Sequence, residues 1–206
     1  MSAILSIEIS RQTATVSLDD GHRLICRKND PAALGLHESD ECAYEALRGK
    51  LCRLQLDEGY EAALTLLDYS ARTEHEIRKK LALKGYLDEV IDAVAERLKS
   101  ARLIDDALIA ERLVQAAQSS GKGRFAVRQK LRMRGICEDD SEEALFELDS
   151  EQQSEAAFRA AQSLIRKYAA FEPRIRKQKL SQALARRGFA WDSIESALNR
   201  LNRGED

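Results

Sequence analysis

Three segments of this chain end in the same way, and that repetition narrows the possible folds more than any other feature. In IRKKLALKGY, Ile77 and Leu81 lie four residues apart, Lys84 follows, and Gly85 and Tyr86 close the segment. VRQKLRMRGI repeats the pattern with Val127, Leu131, Arg134, Gly135 and Ile136, and LSQALARRGF repeats it with Leu180, Leu184, Arg187, Gly188 and Phe189. The glycines recur after 50 and then 53 residues. An apolar i, i+4 stripe buries one face of a helix, and a glycine after its last turn supplies the left-handed residue that stops it. The apolar residue after the glycine can then fold back on that turn.

A second short helix is expected after each glycine, with inward faces formed by Val90, Ile91, Val94 and Leu98, then Ala144, Leu145 and Leu148, then Ile194, Ala197, Leu198 and Leu201. Each pair makes a helical hairpin. A further helix precedes each hairpin, around Tyr60 to Tyr69, Asp105 to Gln118 and Glu151 to Ala169. Their stripes are Ala63, Leu66 and Leu67, then Ile109, Leu113 and Ala116, then Ala157, Ala161, Leu164 and Ile165. The expected fold class is therefore mainly α, with three tandem three-helix repeats at 57–103, 104–150 and 151–206. Units that bury surface against their neighbours predict an elongated, curved body. Composition agrees, because 33% of the residues are charged, 5% are aromatic and two are proline.

Residues 1–56 read differently, as a small antiparallel β-rich extension followed by a helix. Leu5, Ile7 and Ile9 alternate with Ser6, Glu8 and Ser10, and Ala14, Val16 and Leu18 alternate with Thr13, Thr15 and Ser17. Asp19-Asp20-Gly21 supplies turn chemistry before a third strand from His22 to Arg27. Asn29-Asp30-Pro31 breaks the pattern, and a helix beginning near Ser39 or Asp40 carries Leu47 and Leu51 inward. Thr73 with Glu76 has capping-box spacing, and Asp105 or Asp106 is placed to cap the next helix.

Net charge is −2, but it is segregated. Lys122 to Arg134 holds six basic residues and no acid, whereas Glu138 to Glu155 holds nine acids and no base. Arg124, Arg128 and Arg132 are spaced to form one cationic helix ridge, with Lys122 and Arg134 at its ends. The third repeat supplies Arg174, Arg176, Lys177, Lys179, Arg186 and Arg187, and the first supplies Arg72, Arg78, Lys79, Lys80 and Lys84. These are the candidate partner-binding residues. A protein partner, DNA phosphates and the chain's own acidic stretch are all open as what they meet.

Other chemistries fit poorly. Cys26, Cys42, Cys52 and Cys137 include no CxxC pair, and His22, His37 and His75 lack metal-ligand spacing, so buried thiols are expected and no metal or cofactor. Gly121-Lys122-Gly123 lacks the pattern of a nucleotide-binding loop and reads as a loop with a basic tip. No catalytic constellation is present around the adjacent Asp105 and Asp106. No apolar run approaches the roughly 20 residues that span a bilayer. A soluble, cytoplasmic, non-enzymatic monomer is the expectation.

The repeat segments closely resemble the RecX family from about Ala62 to Leu201. The specific elements are YSARTEHEIRKKLALKGY, the junction ARLIDDALIAERLV with its LIDD, GKGRFAVRQKLRMRGI, and KLSQALARRGFAWDSIESAL. The resemblance implies a regulator that lodges in the groove of the RecA–DNA filament and reduces ATP hydrolysis, strand exchange and co-protease activity. Its setting would be recombination, DNA repair and the SOS response, with single- or double-stranded DNA as a second contact. The alternative is a helical DNA-binding regulator acting without RecA, because each helix–Gly–helix hairpin superficially resembles a helix-turn-helix.

Overall fold

The structure, a computed structural model, describes residues 2–146, 148 and 150–204. Four strands, β1 (Ser2–Ile9), β2 (Thr13–Leu18), β3 (Arg23–Arg27) and β4 (Glu41–Cys42), form an antiparallel sheet of order β3-β2-β1-β4. The helices are α1 (Asp30–Ala33), α2 (Tyr44–Tyr69), α3 (Glu74–Leu83), α4 (Asp88–Ser100), α5 (Asp106–Ser119), α6 (Arg124–Met133), α7 (Glu138–Phe146), α8 (Ser150–Ile165), α9 (Pro173–Arg186) and α10 (Trp191–Arg203). A short 3-10 turn, Arg166–Tyr168, extends α8. The chain falls into two compact units, Met1–Asp105 and Asp106–Asp206.

All three glycine turns form as the repeat predicts. Gly85, Gly135 and Gly188 have φ of +86°, +72° and +85°. The amides of Tyr86, Ile136 and Phe189 reach back to the carbonyls of Leu81, Leu131 and Leu184 at 3.3, 3.2 and 3.3 Å. The glycine amides bond Ala82, Arg132 and Ala185 at 2.9, 3.0 and 2.9 Å. This double closure is the Schellman motif, and the buried residue after each glycine packs on the last helical turn. Thr73 closes its capping box with Glu76, both bonds at 3.2 Å.

In the first unit, Ile4, Ala14, Val16, Leu18, Leu24 and Cys26 of the sheet share one core with Leu47, Leu51, Ile77, Leu81 and Leu98 of the helices. At about 1.5–3 kcal/mol for each large apolar side chain, this shared burial holds the sheet to the first hairpin. Two details correct the sequence reading. Ile4 is the buried residue of β1 and Ile7 packs against the same core, while Leu5, left between Ile4 and Ser6 where the register shifts, is 61% exposed, and Ile9 near the strand end is 64% exposed. The bulge at Leu5 lets Ile4 and Ile7 face the same side, which strict alternation does not allow. The helix expected near Ser39 begins instead at Tyr44, after β4, and continues without a break to Tyr69.

Asp30, read as a pattern breaker, is fully buried at the start of α1. Its carboxylate accepts the Arg27 amide at 2.9 Å, the Arg27 side chain at 2.7 Å and Gln55 Nε2 at 2.5 Å. Gln55, also fully buried, accepts the Leu87 amide at 2.8 Å. Gly85 lies so close to β3 that an added Cβ would sit 2.5 Å from the Cys26 carbonyl oxygen. The sheet edge therefore seats directly on the first glycine turn, with every buried polar group of Gln55 and Asp30 engaged.

The second unit builds its core from two clusters. Ile109, Val114, Val127, Leu131, Ile136 and Leu145 form one, and Phe158, Ala161, Leu180, Leu184, Phe189 and Ile194 form the other. The N-terminus of α6 joins them. Gly123 N–H donates to the Arg187 carbonyl at 2.8 Å, Phe125 N–H to the Gly188 carbonyl at 3.0 Å, and Arg124 N–H to the buried Gln153 side chain at 2.8 Å. A Cβ on Gly123 would meet Gly188 at 2.3 Å. No helix among the described residues is long and apolar enough to cross a membrane.

Candidate functional site

The basic residues expected to form ridges divide according to what their own hairpins contain. On α6, Arg124 and Arg128 both reach Glu142 of α7, Arg124 at 3.4 Å. Arg132 is exposed, and Glu142 offsets part of the charge of the other two arginines of the ridge. On α3, Arg78 bonds Glu74 at 2.7 Å and also pairs with Asp92 of α4. Lys99 reaches the same Glu74 at 3.1 Å. Burial alone would raise the Glu74 pKa, but the bonds from Arg78 and Lys99 outweigh it and hold the carboxyl below its usual range.

Arg78 and Arg128 occupy the same place in their repeats, seven residues before the glycine, and Asp92 and Glu142 stand seven residues after it. The third repeat has Ser181 and Glu195 there. Sequence reasoning missed this pairing, although aligning the repeats on their glycines exposes it. The acidic stretch thus contributes at least one internal partner, Glu142, to the neighbouring ridge. Two of its acids, Glu147 and Asp149, lie outside the described residues.

A second recurrent device ties the outer helices together. Arg97 lies 3.7 Å from the centre of the Tyr60 ring and 3.9 Å from Asp57. Arg200 lies 3.9 Å from the Phe158 ring centre and 2.7 Å from Glu155. Each arginine follows its turn glycine by twelve residues, and each acid precedes its aromatic ring by three. Both therefore serve the hairpin, as cation–π and ionic contacts on one side chain.

The other candidates are distributed as follows. Lys79, Lys84, Lys122, Arg132, Arg174, Lys177 and Arg186 are exposed, whereas Arg72, Arg134, Arg176, Lys179 and Arg187 are half-buried. Lys179 sits 4.6 Å from the Phe171 ring centre, and Arg176 donates to the Phe171 carbonyl at 3.4 Å. Lys84, Arg134 and Arg187, the recurrent basic position, are all helix C-cap residues. A cation there complements the carbonyl end of the helix dipole. The loop Gly121-Lys122-Gly123 is no open anion cradle at the start of α6, because Gln153 and the third turn take up the amides of Gly123, Arg124 and Phe125.

Thiol burial is uneven. Cys26 is buried, and burial with the nearby Asp30 charge pushes its pKa up to about 12. Cys42 and Cys52 are half-buried, and Cys137 is exposed, accepting the Asp140 amide at 3.4 Å. The expectation of buried thiols holds for Cys26, only in part for Cys42 and Cys52, and fails at Cys137.

Three family models match in order along the chain: the RecX first three-helix domain over residues 60–98, the second over 105–145 and the third over 151–198. The regulatory protein RecX of Limosilactobacillus reuteri (strain DSM 20016) is 35% identical over 137 residues, covering 66% of this chain and 52% of that protein. The match thus spans about half the length of that relative. The regulatory protein RecX of Streptococcus pneumoniae (strain Hungary19A-6) is 29% identical over 205 residues, covering 98% of this chain and 78% of the relative. A crystal structure of regulatory protein RecX superposes with a TM-score of 0.65 at 28% identity, covering 95% of this chain and 98% of the other. That of RecX from Lactobacillus salivarius gives 0.67 at 28%, covering 72% and 97%.

Proposed function

We propose, from the premise that this chain belongs to the RecX family, that it regulates RecA by binding in the groove of the RecA–DNA filament and lowering ATP hydrolysis, strand exchange and co-protease activity. The observation that carries the reading is the tandem occurrence of all three RecX three-helix domains. The chain acts by binding and not by catalysis. Its exposed cations, Lys79, Lys84, Lys122, Arg132, Arg174, Lys177 and Arg186, are available to acidic protein groups or phosphates. Partly occupied ones, such as Arg124 and Arg128, would exchange Glu142 for a partner carboxylate. On this reading the chain works in recombination, repair and the SOS response, as a monomer in the cytoplasm, and its membership of a regulatory family supports that setting.

The test is ATP hydrolysis by RecA on single-stranded DNA with the chain added in increasing ratio. A falling rate supports the reading, and an unchanged rate at several-fold molar excess overturns it. A DNA-binding regulator working without RecA is the second reading, favoured by the same exposed cations. A mobility-shift series over increasing salt separates the two, since binding through phosphates weakens steeply as counterions are added.

A further inference from the structure

We propose that the cleft between α5 and α8, bounded by the third glycine turn, is a binding site for a phosphoryl anion. The cleft has a volume of about 330 Å³. Arg159 enters it from α8, and Arg187 enters from the C-cap of α9, its Nη1 lying 3.8 Å from where a Cβ on Gly121 would stand. Ser119, Ser120 and Ser163 complete the polar lining.

Within this cleft the guanidinium groups lack internal compensation. Arg78, Arg97, Arg124, Arg128 and Arg200 each meet a carboxylate of their own unit. Arg159 and Arg187 meet none among the described residues, and no described residue lining the cleft is acidic. In a chain of net charge −2, two uncompensated guanidinium groups share one concavity, where low-dielectric walls concentrate their field. Guanidinium forks match the geometry of phosphoryl oxygens. The serine hydroxyls now donate to carbonyls of the preceding helical turn, Ser119 to Gln115 at 3.2 Å, Ser120 to Ala117 at 3.3 Å and Ser163 to Ala160 at 2.7 Å. Hydroxyls rotate, so they can redirect a proton to a third or fourth anion oxygen, which a carboxylate does not offer. The adjoining groove, which shares Arg159, carries Glu151 and Glu155, and their charge confines the anion to the serine end.

The phosphoryl group could belong to a nucleic-acid backbone or to a free nucleotide. The inference is independent of RecA, and its test contains none. Fluorescein-labelled oligothymidylate is titrated with the full chain at low salt and followed by anisotropy, and ATP is titrated separately by calorimetry. Arg159→Gln and Arg187→Gln are each expected to weaken binding about tenfold, the loss of one charge-assisted contact. Arg112→Gln, which removes an exposed charge from α5 outside the cleft, is expected to stay within about twofold. Displacement of the oligonucleotide by ATP assigns a terminal phosphate, and failure to displace it assigns a phosphodiester. Binding of neither probe by the wild type overturns the proposal. So does a double variant that melts and binds like the wild type, or an Arg112→Gln loss as large as those of the cleft variants.

Discussion

The amide of Phe125 donates to the carbonyl of Gly188 at 3.0 Å, so the turn that stops the first hairpin helix of the third repeat also caps the corresponding helix of the second. Gly188 meets two demands there. Its φ is +85°, and an added Cβ would lie 2.3 Å from the Ala126 nitrogen. Gly204 has φ of +70° but nothing within 4 Å. Gly204→Ala should cost about 1–2 kcal/mol, the left-handed penalty alone. Gly188→Ala adds an overpacking cost of about 1–3 kcal/mol and should exceed it clearly. Denaturant melts of both variants check the order, and equal losses would show that the close approach is immaterial.

Gln55 bridges Asp30 and Leu87 from a fully buried position. Gln55→Leu keeps the bulk but leaves the Leu87 amide without its acceptor, and a loss of about 2–4 kcal/mol is expected. Amide exchange at Leu87 should accelerate in the variant beyond the change in global stability. An unaltered rate there would mean that water replaces the glutamine.

Acid should weaken the first unit through Glu74 and Glu58. The pKa of each is lowered from 4.5; that of Glu74 falls against its burial because Arg78 and Lys99 bond it, and that of Glu58 chiefly because Arg27 bonds it. A carboxylate with a depressed folded-state pKa stabilises fully above its unfolded value and loses that contribution as pH falls through the folded value. Stability should therefore begin to decline below about pH 4.5. Thermal melts over an acid series should show a shallower decline for Glu74→Gln than for the wild type.

The Arg128–Glu142 pair is 39% and 42% exposed, and solvent screens it. A double-mutant cycle with Arg128→Gln and Glu142→Gln should give a coupling of about 0.2–1 kcal/mol. A larger value would show that Arg124 and Arg128 act on Glu142 as one unit.

The three Schellman turns, the inward leucines and the Thr73 cap were legible because each depends on residues within one or two helical turns. Ile4 was not, since a single bulge reverses the faces and local alternation contains no sign of it. Asp30 and Gln55 look like surface residues in sequence, and only the approach of segments 25 residues apart buries them. The basic stripe on α6 was visible, but the pairing of Arg124 and Arg128 with Glu142 depends on the hairpin bringing α7 alongside. Arg159 stands outside the repeat signature, and its place beside Arg187 exists only once α8 and α9 have packed.

α2 runs unbroken for 26 residues, about 39 Å of rigid rod. Its early turns bury Leu47 and Leu51 beneath the sheet, and its later ones bury Ala63 in the first hairpin. The sheet is thus mounted on the same spar as the first repeat and cannot be trimmed away as an appendage. Cutting the chain at residue 57 would saw through that spar and strip Leu81 and Leu87 of the partners that keep them dry. Any shortened version meant to isolate the helical repeats has to retain the strut from Tyr44 onward and replace, with polar residues, the apolar surface the sheet leaves behind.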